Sequence, residues 1–105
     1  MNSLKAVLSV KFNSTFGQED LIALFRQDLD TFSNVPGLLQ KYYIAEDLTG
    51  AKGGIYIFDS KIFRTEFWNS KLAKSIPAKY GVIPGSIRVE HFDIPIVLNN
   101  TVLAQ

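Results

Sequence analysis

Two residue types that occur once in this 105-residue sequence have the chemistry to act on a small molecule. Histidine changes its charge near neutral pH, so His91 can remove a proton from an acidic phenol or hydrogen-bond to it. Trp68 can stack on a flat ligand and offer its indole N–H as a polar handle. The structural alternatives are a strand histidine satisfied by a backbone carbonyl or water, and a tryptophan that packs in the core or in an interface.

Aromatic and cationic side chains supply further candidates for a binding pocket. Tyr43 and Tyr56 belong to neighbouring predicted strands, where aromatic pairs stabilise a sheet and a hydroxyl can also point into a cavity. Phe12, on the apolar face of the first predicted strand, is a candidate for the pocket wall. Arg64 precedes Trp68 by one helical turn and can pair with an anionic ligand, with Glu66 or with solvent. We therefore take Tyr43, Tyr56, Trp68, Arg64 and Phe12 as candidate substrate-binding residues and His91 as the candidate catalytic residue.

Several classes of function are disfavoured by composition. The sequence contains no cysteine, which excludes disulfides, thiol catalysis and zinc fingers, and one histidine is too few for common transition-metal sites. The net charge of +1 is too small to attract the phosphate backbone of a nucleic acid. We therefore expect no metal, no bound cofactor, no nucleic-acid partner and no membrane partner.

The pattern of apolar residues predicts the elements that must position these side chains. Alternation from Leu4 to Phe12 indicates a strand. Thr15 and Gln18 resemble a capping box for a helix that continues to Asn34. The predicted elements after it are a strand over residues 38–47, a strand over 55–58, a helix from Asp59 or Ser60 to Ile76, and a strand over 86–93.

This order predicts an α+β, ferredoxin-like βαββαβ fold, a four-stranded antiparallel sheet with two helices on one face. Tyr56 and Phe58 alternate with Ile55 and Ile57, so the face that the helices leave uncovered is also apolar. A second copy that packs sheet against sheet would cover it, so we predict a homodimer. We expect a single domain over residues 1–105, with an apolar C-terminal arm over 94–105 that reaches across. The absence of a signal-like or membrane-spanning run predicts a cytoplasmic protein.

Two segments resemble those of a known family. They are PGLLQKYYIAEDLTGAKGGIYIFDS, residues 36–60, and YGVIPGSIRVEHFDI, residues 80–94. Together with the order of elements they resemble the YdhR-like family of small mono-oxygenases. That family belongs to the dimeric α/β-barrel group, in which the sheets of two monomers form a barrel.

The resemblance implies a pocket between sheet and helices that admits a flat aromatic substrate and dioxygen, without a bound redox cofactor. His91 or a pocket tyrosine would handle the proton, and Trp68 would form part of the aromatic wall. Haem-degrading relatives use an Asn, Trp and His set; Asn13 and Trp68 are available here, but the second helix has no histidine. We therefore expect a mono-oxygenase acting on a phenol, anthrone or quinol, with a non-catalytic dimer that binds an aromatic or lipophilic metabolite as the alternative.

Overall fold

The computed structural model describes residues 4–99. Their elements, in chain order, are β1 (Lys5–Phe12), α1 (Gln18–Gln27), α2 (Leu29–Ser33), β2 (Leu38–Ala45), β3 (Lys52–Phe58), α3 (Lys61–Trp68), α4 (Lys71–Lys74), α5 (Ile76–Lys79) and β4 (Arg88–Ile94). The strands form one antiparallel sheet in the order β2-β3-β1-β4. This is the predicted ferredoxin-like α+β fold, because β3 lies between β1 and β2, and β4 pairs with the other side of β1.

The first predicted helix is divided in two. Gly17 takes the N-cap position of α1, while the Thr15 hydroxyl bonds to the Gly81 carbonyl, so the predicted capping box does not form. Asp28 separates α1 from α2, and its side chain is buried rather than exposed. The break therefore occurs at a buried carboxylate, which accepts a hydrogen bond from the Tyr80 hydroxyl.

The second predicted helix is divided in three. It ends first at Trp68, and Ser70 then caps α4 by accepting a hydrogen bond from the Ala73 amide. Pro77 does not close the segment, as the sequence suggested, but opens α5, because proline lacks only an amide that is free in the first turn of a helix. Phe67 and Arg64 are therefore the buried residues of α3, whereas Ile62, placed on the apolar arc by a continuous helix, is 70% exposed.

The strand boundaries differ from the predicted ones by a few residues. β2 ends at Ala45 because Glu46 turns back to pair with Ala51, and β3 begins earlier than predicted, at Lys52. The pairing of β2 with β3 shifts register between Leu38 and Gln40.

The pairing register assigns every strand residue to one face. Ala6, Leu8, Val10 and Phe12 are buried under the helices. On the other face, Val7 pairs with Ile57 of β3 and with Phe92 of β4. We call this second side the open face; its apolar residues are Val7, Tyr42, Ile44, Ile55, Ile57 and Phe92.

The C-terminal segment is apolar and exposed as far as the structure describes it. Ile96 and Leu98 are 85% and 81% exposed, beyond the end of β4. The rest of the predicted arm, residues 100–105, lies outside the described residues. None of the five described helices has the length and apolar character that crossing a bilayer requires.

Candidate active site

A cluster of lysine and aromatic residues, two of them buried and two half-buried, lies between the helices and the β2 edge of the sheet. Lys41 of β2 pairs with Tyr56 of β3, and Tyr43 pairs with Gly54, so all these residues share the helix-covered face. Phe32 of α2 covers them from above. We call Lys41, Tyr43, Tyr56 and Phe32 the lysine–aromatic cluster.

Three aromatic rings lie close to the ammonium group of Lys41, which is half-buried. Its Nζ lies 3.4 Å from the ring centroid of Phe32, 4.2 Å from that of Tyr43 and 4.5 Å from that of Tyr56. Among residues 4–99, Lys41 forms no salt bridge. Ring faces attract a cation, but they replace only part of the hydration that an ammonium loses on burial.

Gly54 provides the space for the lysine side chain. A Cβ at this position would lie 2.9 Å from Lys41 Cε and 3.2 Å from Cε1 of Tyr56. Gly53 and Gly54 are therefore positions where other parts of the chain approach the backbone closely.

Burial lowers the pKa of Lys41 from 10.5 to about 7; Asp28 opposes this shift and Lys79 adds to it. At neutral pH the amine is therefore divided between its charged and neutral forms. A neutral amine accepts a proton, and few lysines are neutral at this pH.

Tyr43 contributes a hydroxyl that is buried and has no hydrogen-bond partner within residues 4–99. Burial, and then the nearby Asp28 carboxylate, raises the pKa of Tyr43 to about 12. A buried hydroxyl without a partner costs about 1–3 kcal/mol, which a ligand oxygen in hydrogen-bonding distance would recover.

On the helix side, Asp28 contacts two polar side chains next to the lysine–aromatic cluster. The Tyr80 hydroxyl donates to Asp28 Oδ2 at 2.6 Å, and Lys79 Nζ lies 3.1 Å from Asp28 Oδ1. Burial and this hydrogen bond raise the pKa of Tyr80 well above its usual value. The ring of Phe25 joins the two groups, with its centroid 4.7 Å from that of Tyr43 and 5.0 Å from that of Tyr80.

Two cavities approach the cluster. The α1–β2 cleft, of about 110 Å³, is lined by Tyr43 and Phe25, and also by Gln18, Leu21, Ile22, Ile44, Ala45 and Lys52. The α2–α3 groove, of about 460 Å³, has the size of a small-molecule site. Its wall includes Phe67, whose ring centroid lies 5.0 Å from that of Tyr56.

Tyr43, Tyr56 and Phe12 lie on the helix-covered face of the sheet, and of the three only Tyr43 lines the α1–β2 cleft. Tyr43 and Tyr56 both contact Lys41, and Phe12 stacks on Tyr80 with a centroid distance of 6.3 Å. Phe12 is 3% exposed and lies behind Tyr80, so it supports the site without lining either cavity.

Arg64, a candidate substrate-binding residue in the sequence, instead contacts backbone carbonyls in the interior and lines neither cavity. Its Nη1 donates to the carbonyl oxygens of Val7 and Phe92, at 3.2 and 2.8 Å, and the residue is 7% exposed. It thereby joins α3 to β1 and β4. Asp93 lies 3.9 Å from the same nitrogen.

His91 lies far from the lysine–aromatic cluster. It pairs with Leu8 of β1, and Leu8 pairs with Tyr56, so His91 occupies the edge strand opposite β2. It is exposed. Trp68 is half-buried and packs against the core one turn after Arg64. The structure therefore does not bring His91 together with Tyr43 and Tyr56.

Lys41, Asp28 and Tyr80 were missed by the sequence analysis. The alternation of β2 places Lys41 and Tyr43 on the same face of the sheet. If that face points inward, the amine of Lys41 lies next to the Tyr43 ring. The sequence alone does not show which face of β2 points inward, so this placement could not be predicted.

No protein-family model matches the sequence, and no curated protein matches it. Solved structures do match. NE2512, a protein of unknown function from Nitrosomonas europaea, is 16% identical, with a TM-score of 0.71 and 100% of each chain covered. The haem-degrading protein Rv3592 from Mycobacterium tuberculosis is 13% identical, with a TM-score of 0.66 and coverage of 92% of this chain and 98% of that one.

SnoaB from Streptomyces nogalater, a cofactor-independent oxygenase, is 9% identical, with a TM-score of 0.63 and coverage of 93% of this chain and 98% of that one. Other matches have been assigned to the antibiotic biosynthesis monooxygenases. Likeness at these identities establishes the fold, and the narrower YdhR-like resemblance stays a prediction. The chain therefore has the ferredoxin-like α+β fold of these solved structures, which include monooxygenases.

Proposed function

We propose that this protein is a cofactor-independent mono-oxygenase that oxidises a small aromatic compound with a phenolic or enolisable oxygen. The observation that carries the proposal is the buried Tyr43 hydroxyl without a partner, set among aromatic rings and beside a lysine amine. This arrangement fits a flat substrate whose oxygen receives a hydrogen bond and whose acidic proton has a nearby acceptor.

The fold comparisons support the proposal. Structures with this fold include a cofactor-independent oxygenase and a monooxygenase solved with Nanaomycin D. They also include a haem-degrading protein. The second helical segment here, from α3 to α5, carries no histidine, which favours the first chemistry over the second.

The proposed reaction requires only substrate and dioxygen. Loss of a proton turns an anthrone or naphthol into an electron-rich anion, which reduces dioxygen and forms a carbon–oxygen bond to it. The resulting peroxide is protonated, its O–O bond breaks, and the second hydrogen of the same carbon leaves with the distal oxygen as water. In sum, a CH₂ group of the keto tautomer and O₂ become C=O and H₂O.

The protein would position the substrate and exclude water from it. Tyr43 would donate its hydroxyl hydrogen to the substrate oxygen, and the ring of Phe25, packed on that of Tyr43, would form a wall of the α1–β2 cleft. Phe12 and Tyr80 hold these rings from behind. The assignment of proton transfer to His91, and of a wall position to Trp68, stays a prediction from sequence.

We also propose that a second copy of the chain covers the open face. Val7, Ile55 and Ile57 lie at the centre of this face and are only half-buried in the single chain. Phe92 extends the apolar surface towards one side and is 49% exposed. A face of this composition at the centre of a four-stranded sheet is typical of sheet-on-sheet packing, and the resemblance implies the same dimer.

Oxygen consumption tests the proposed activity. The protein is incubated with naphthols, anthrones and quinols in air and under argon, with ¹⁸O₂ used to trace the atoms. We expect uptake of one O₂ per substrate, with one labelled atom in the product and one in water. Binding of these compounds without oxygen uptake would instead identify the non-catalytic dimer that binds an aromatic metabolite.

A further inference from the structure

We propose that the α1–β2 cleft binds an aromatic ligand through an anionic oxygen, a phenolate or a carboxylate, and that Lys52 determines this specificity. The inference rests on the proposed function and names the substrate class of its site. Lys52 lines the cleft together with Tyr43 and Gln18, and it is the one charged side chain among the lining residues.

The sheet places Lys52 next to Tyr43 at one wall of the cleft. Lys52 pairs with Ala45 of β2, whereas Tyr43 pairs with Gly54, two residues further along β3. Lys52 and Tyr43 are therefore diagonal neighbours on the helix-covered face, and such neighbours lie about 7–8 Å apart, within reach of long side chains. One oxygen-bearing group of a ligand can thus contact both side chains.

The ammonium group of Lys52 has capacity for a ligand. Its Nζ donates to the Gly50 carbonyl oxygen at 2.7 Å, and an ammonium has further N–H donors beyond this one. Within residues 4–99, Lys52 forms no salt bridge, and its side chain is half-buried. Since hydrogen bonds between ionised groups are stronger than those between neutral groups, this ammonium favours an anionic oxygen over a neutral one.

Tyr43 provides a second hydrogen-bond donor in the cleft. Its hydroxyl is buried and lacks a partner in the part of the chain that the structure describes. Burial, and then the Asp28 carboxylate, raises the pKa of Tyr43 to about 12, so the hydroxyl keeps its proton at neutral pH. The ring of Phe25 packs on that of Tyr43, with centroids 4.7 Å apart, and lines the same cleft. A donor beside an apolar ring matches the oxygen of an aromatic ligand.

Carboxylates of the neighbouring segments have other partners. Asp28 accepts a hydrogen bond from Tyr80 and pairs with Lys79. Glu46, which follows β2, accepts a hydrogen bond from the Thr49 hydroxyl at 2.6 Å. Neither carboxylate lines the cleft, so the charge of Lys52 is left for an anion that enters it.

Helix α1 contributes the opposite polar wall. Gln18, the first residue of α1, lines the cleft, and its side-chain amide can donate a hydrogen bond as well. Glu19 and Asp20 follow in the same turn, but both are exposed and neither lines the cleft. Groups that can donate to an anion therefore come from α1, β2 and β3.

The size of the cleft determines which part of the ligand enters. Its volume of about 110 Å³ is smaller than the roughly 150 Å³ of a cavity that holds benzene. The anionic oxygen would therefore enter first, with the aromatic ring at the mouth of the cleft. Ile22 lines the cleft and is 42% exposed, so it offers apolar surface to that ring.

Two probes that differ in charge test the carboxylate form of the ligand. 4-Hydroxybenzoate and 4-hydroxybenzamide are titrated into the native protein at pH 7.5, and their dissociation constants are measured by calorimetry. Both offer Tyr43 an acceptor oxygen, but only the benzoate offers Lys52 a negative charge. We expect the benzoate to bind at least fivefold more tightly.

A chromogenic phenol tests the phenolate form. 4-Nitrophenol is added at a pH where most of the free probe is protonated, and the phenolate absorbance is recorded. We expect at least a threefold rise in the phenolate fraction on binding. A preference for the anion in either experiment supports the inference and shows which anion the cleft accepts. The absence of both preferences, or of any binding, would overturn it.

Variants show whether Lys52 is the origin of the preference. Lys52→Met should reduce it to less than twofold, and so should Lys52→Gln, which keeps a donor for the Gly50 carbonyl but has no charge. Tyr43→Phe should weaken the benzoate and the benzamide alike, because its hydroxyl donates to either. Lys71→Met, in an exposed position of α4 away from the cleft, should retain the full preference. A full preference in Lys52→Gln would remove Lys52 from the site.

Oxygen uptake separates the failure of this inference from that of the proposed function. A preference for anions that is lost in Lys52→Met, without oxygen uptake, would retain the ligand class and remove the oxygenase reaction. Oxygen uptake with equal binding of charged and neutral probes would retain the reaction and overturn the role of Lys52.

Discussion

Lys41 and His91 occupy the same row of side chains across the sheet, at its two opposite edges. The row runs from Lys41 through Tyr56 and Leu8 to His91, so three strand spacings of about 4.8 Å separate their backbones by roughly 14 Å. Leu8 is fully buried between them. One small substrate cannot contact both side chains without crossing this core row, so the two residues cannot be an acid/base pair for one atom.

The titration of Lys41 makes stability depend on pH. Between pH 7 and 10 the unfolded chain keeps the Lys41 proton, whereas the folded protein loses it above its pKa of about 7. The unfolded state then binds more protons, so the free energy of unfolding rises with pH, by at most about 1.4 kcal/mol per pH unit. Urea unfolding followed by Trp68 fluorescence should show this rise in the native protein and a flatter profile in Lys41→Met.

The sign of this dependence reverses at higher pH. The pKa of Tyr43 is raised to about 12, so above pH 10 the unfolded chain releases its phenolic proton first and stability falls. The comparison with Lys41→Met therefore belongs below pH 10. Parallel profiles of the two proteins between pH 7 and 10 would show that the amine has its ordinary affinity for protons.

Gly53 and Gly54 should respond differently to the same substitution. A Cβ on Gly53 would lie 1.9 Å from the Val10 carbonyl oxygen, a backbone atom in the central strand, so Gly53→Ala should lower the free energy of unfolding by about 3 kcal/mol or more. A Cβ on Gly54 meets the flexible end of Lys41, so Gly54→Ala should mainly displace the lysine. We expect the pH dependence of stability to shrink in Gly54→Ala. An unaltered pH profile in that variant would contradict the role of Gly54.

The hydrogen bond between Tyr80 and Asp28 is a test of the buried polar pair. Tyr80→Phe keeps the ring but leaves Asp28 Oδ2 without its donor at 2.6 Å, so it should cost about 1.5–3 kcal/mol in chemical unfolding. Tyr42→Phe is the matched control, because its hydroxyl bonds to exposed Gln40 at 3.3 Å, and it should change stability by less than about 0.5 kcal/mol. Equal losses of unfolding free energy in the two variants would show that the hydrogen bond to Asp28 stabilises the protein no more than the exposed one does.

Arg64 should stabilise the junction of β1, β4 and α3. Arg64→Met leaves the carbonyl oxygens of Val7 and Phe92 without this donor, at a cost of about 1–3 kcal/mol. Lys61→Met removes only an exposed ion pair with Asp93 and should cost no more than about 1 kcal/mol. The midpoints of urea unfolding compare the two, and a larger loss in Lys61→Met would reverse the interpretation.

The open face should control assembly. The native protein should sediment as a dimer at micromolar concentration, and Ile57→Glu, at the centre of the open face, should yield monomers, because two carboxylates would be buried in the interface. Ile62→Glu, on the outer side of α3 and 70% exposed, should leave the dimer intact. A native protein that sediments as a monomer would remove the proposed dimer.

Some parts of the architecture could be predicted because they depend on local periodicity. Alternation in β1 and β3 determines which of their residues share a face, and the pairing register confirms this for Tyr56, Phe58, Ile55 and Ile57. The helix breaks at Asp28 and Ser70 could not be predicted in this way. Each break depends on a contact made with a distant segment or with the following turn, such as that of Asp28 with Tyr80, 52 residues later.

The sequence by itself determined the order of elements and the opposite orientations of Tyr42 and Tyr43. It also showed that the sheet is apolar on both faces, although the helices can cover only one. Only the tertiary structure decided that Lys41 is half-buried at the β2 edge of the helix-covered face, whereas His91, on the same face at the β4 edge, is exposed. The physical reason is that periodicity reports the relative orientation of neighbours along one strand, whereas burial depends on strand order and on what packs above each edge. Strands β2 and β4 are the two edges of the sheet, where this information comes entirely from other segments.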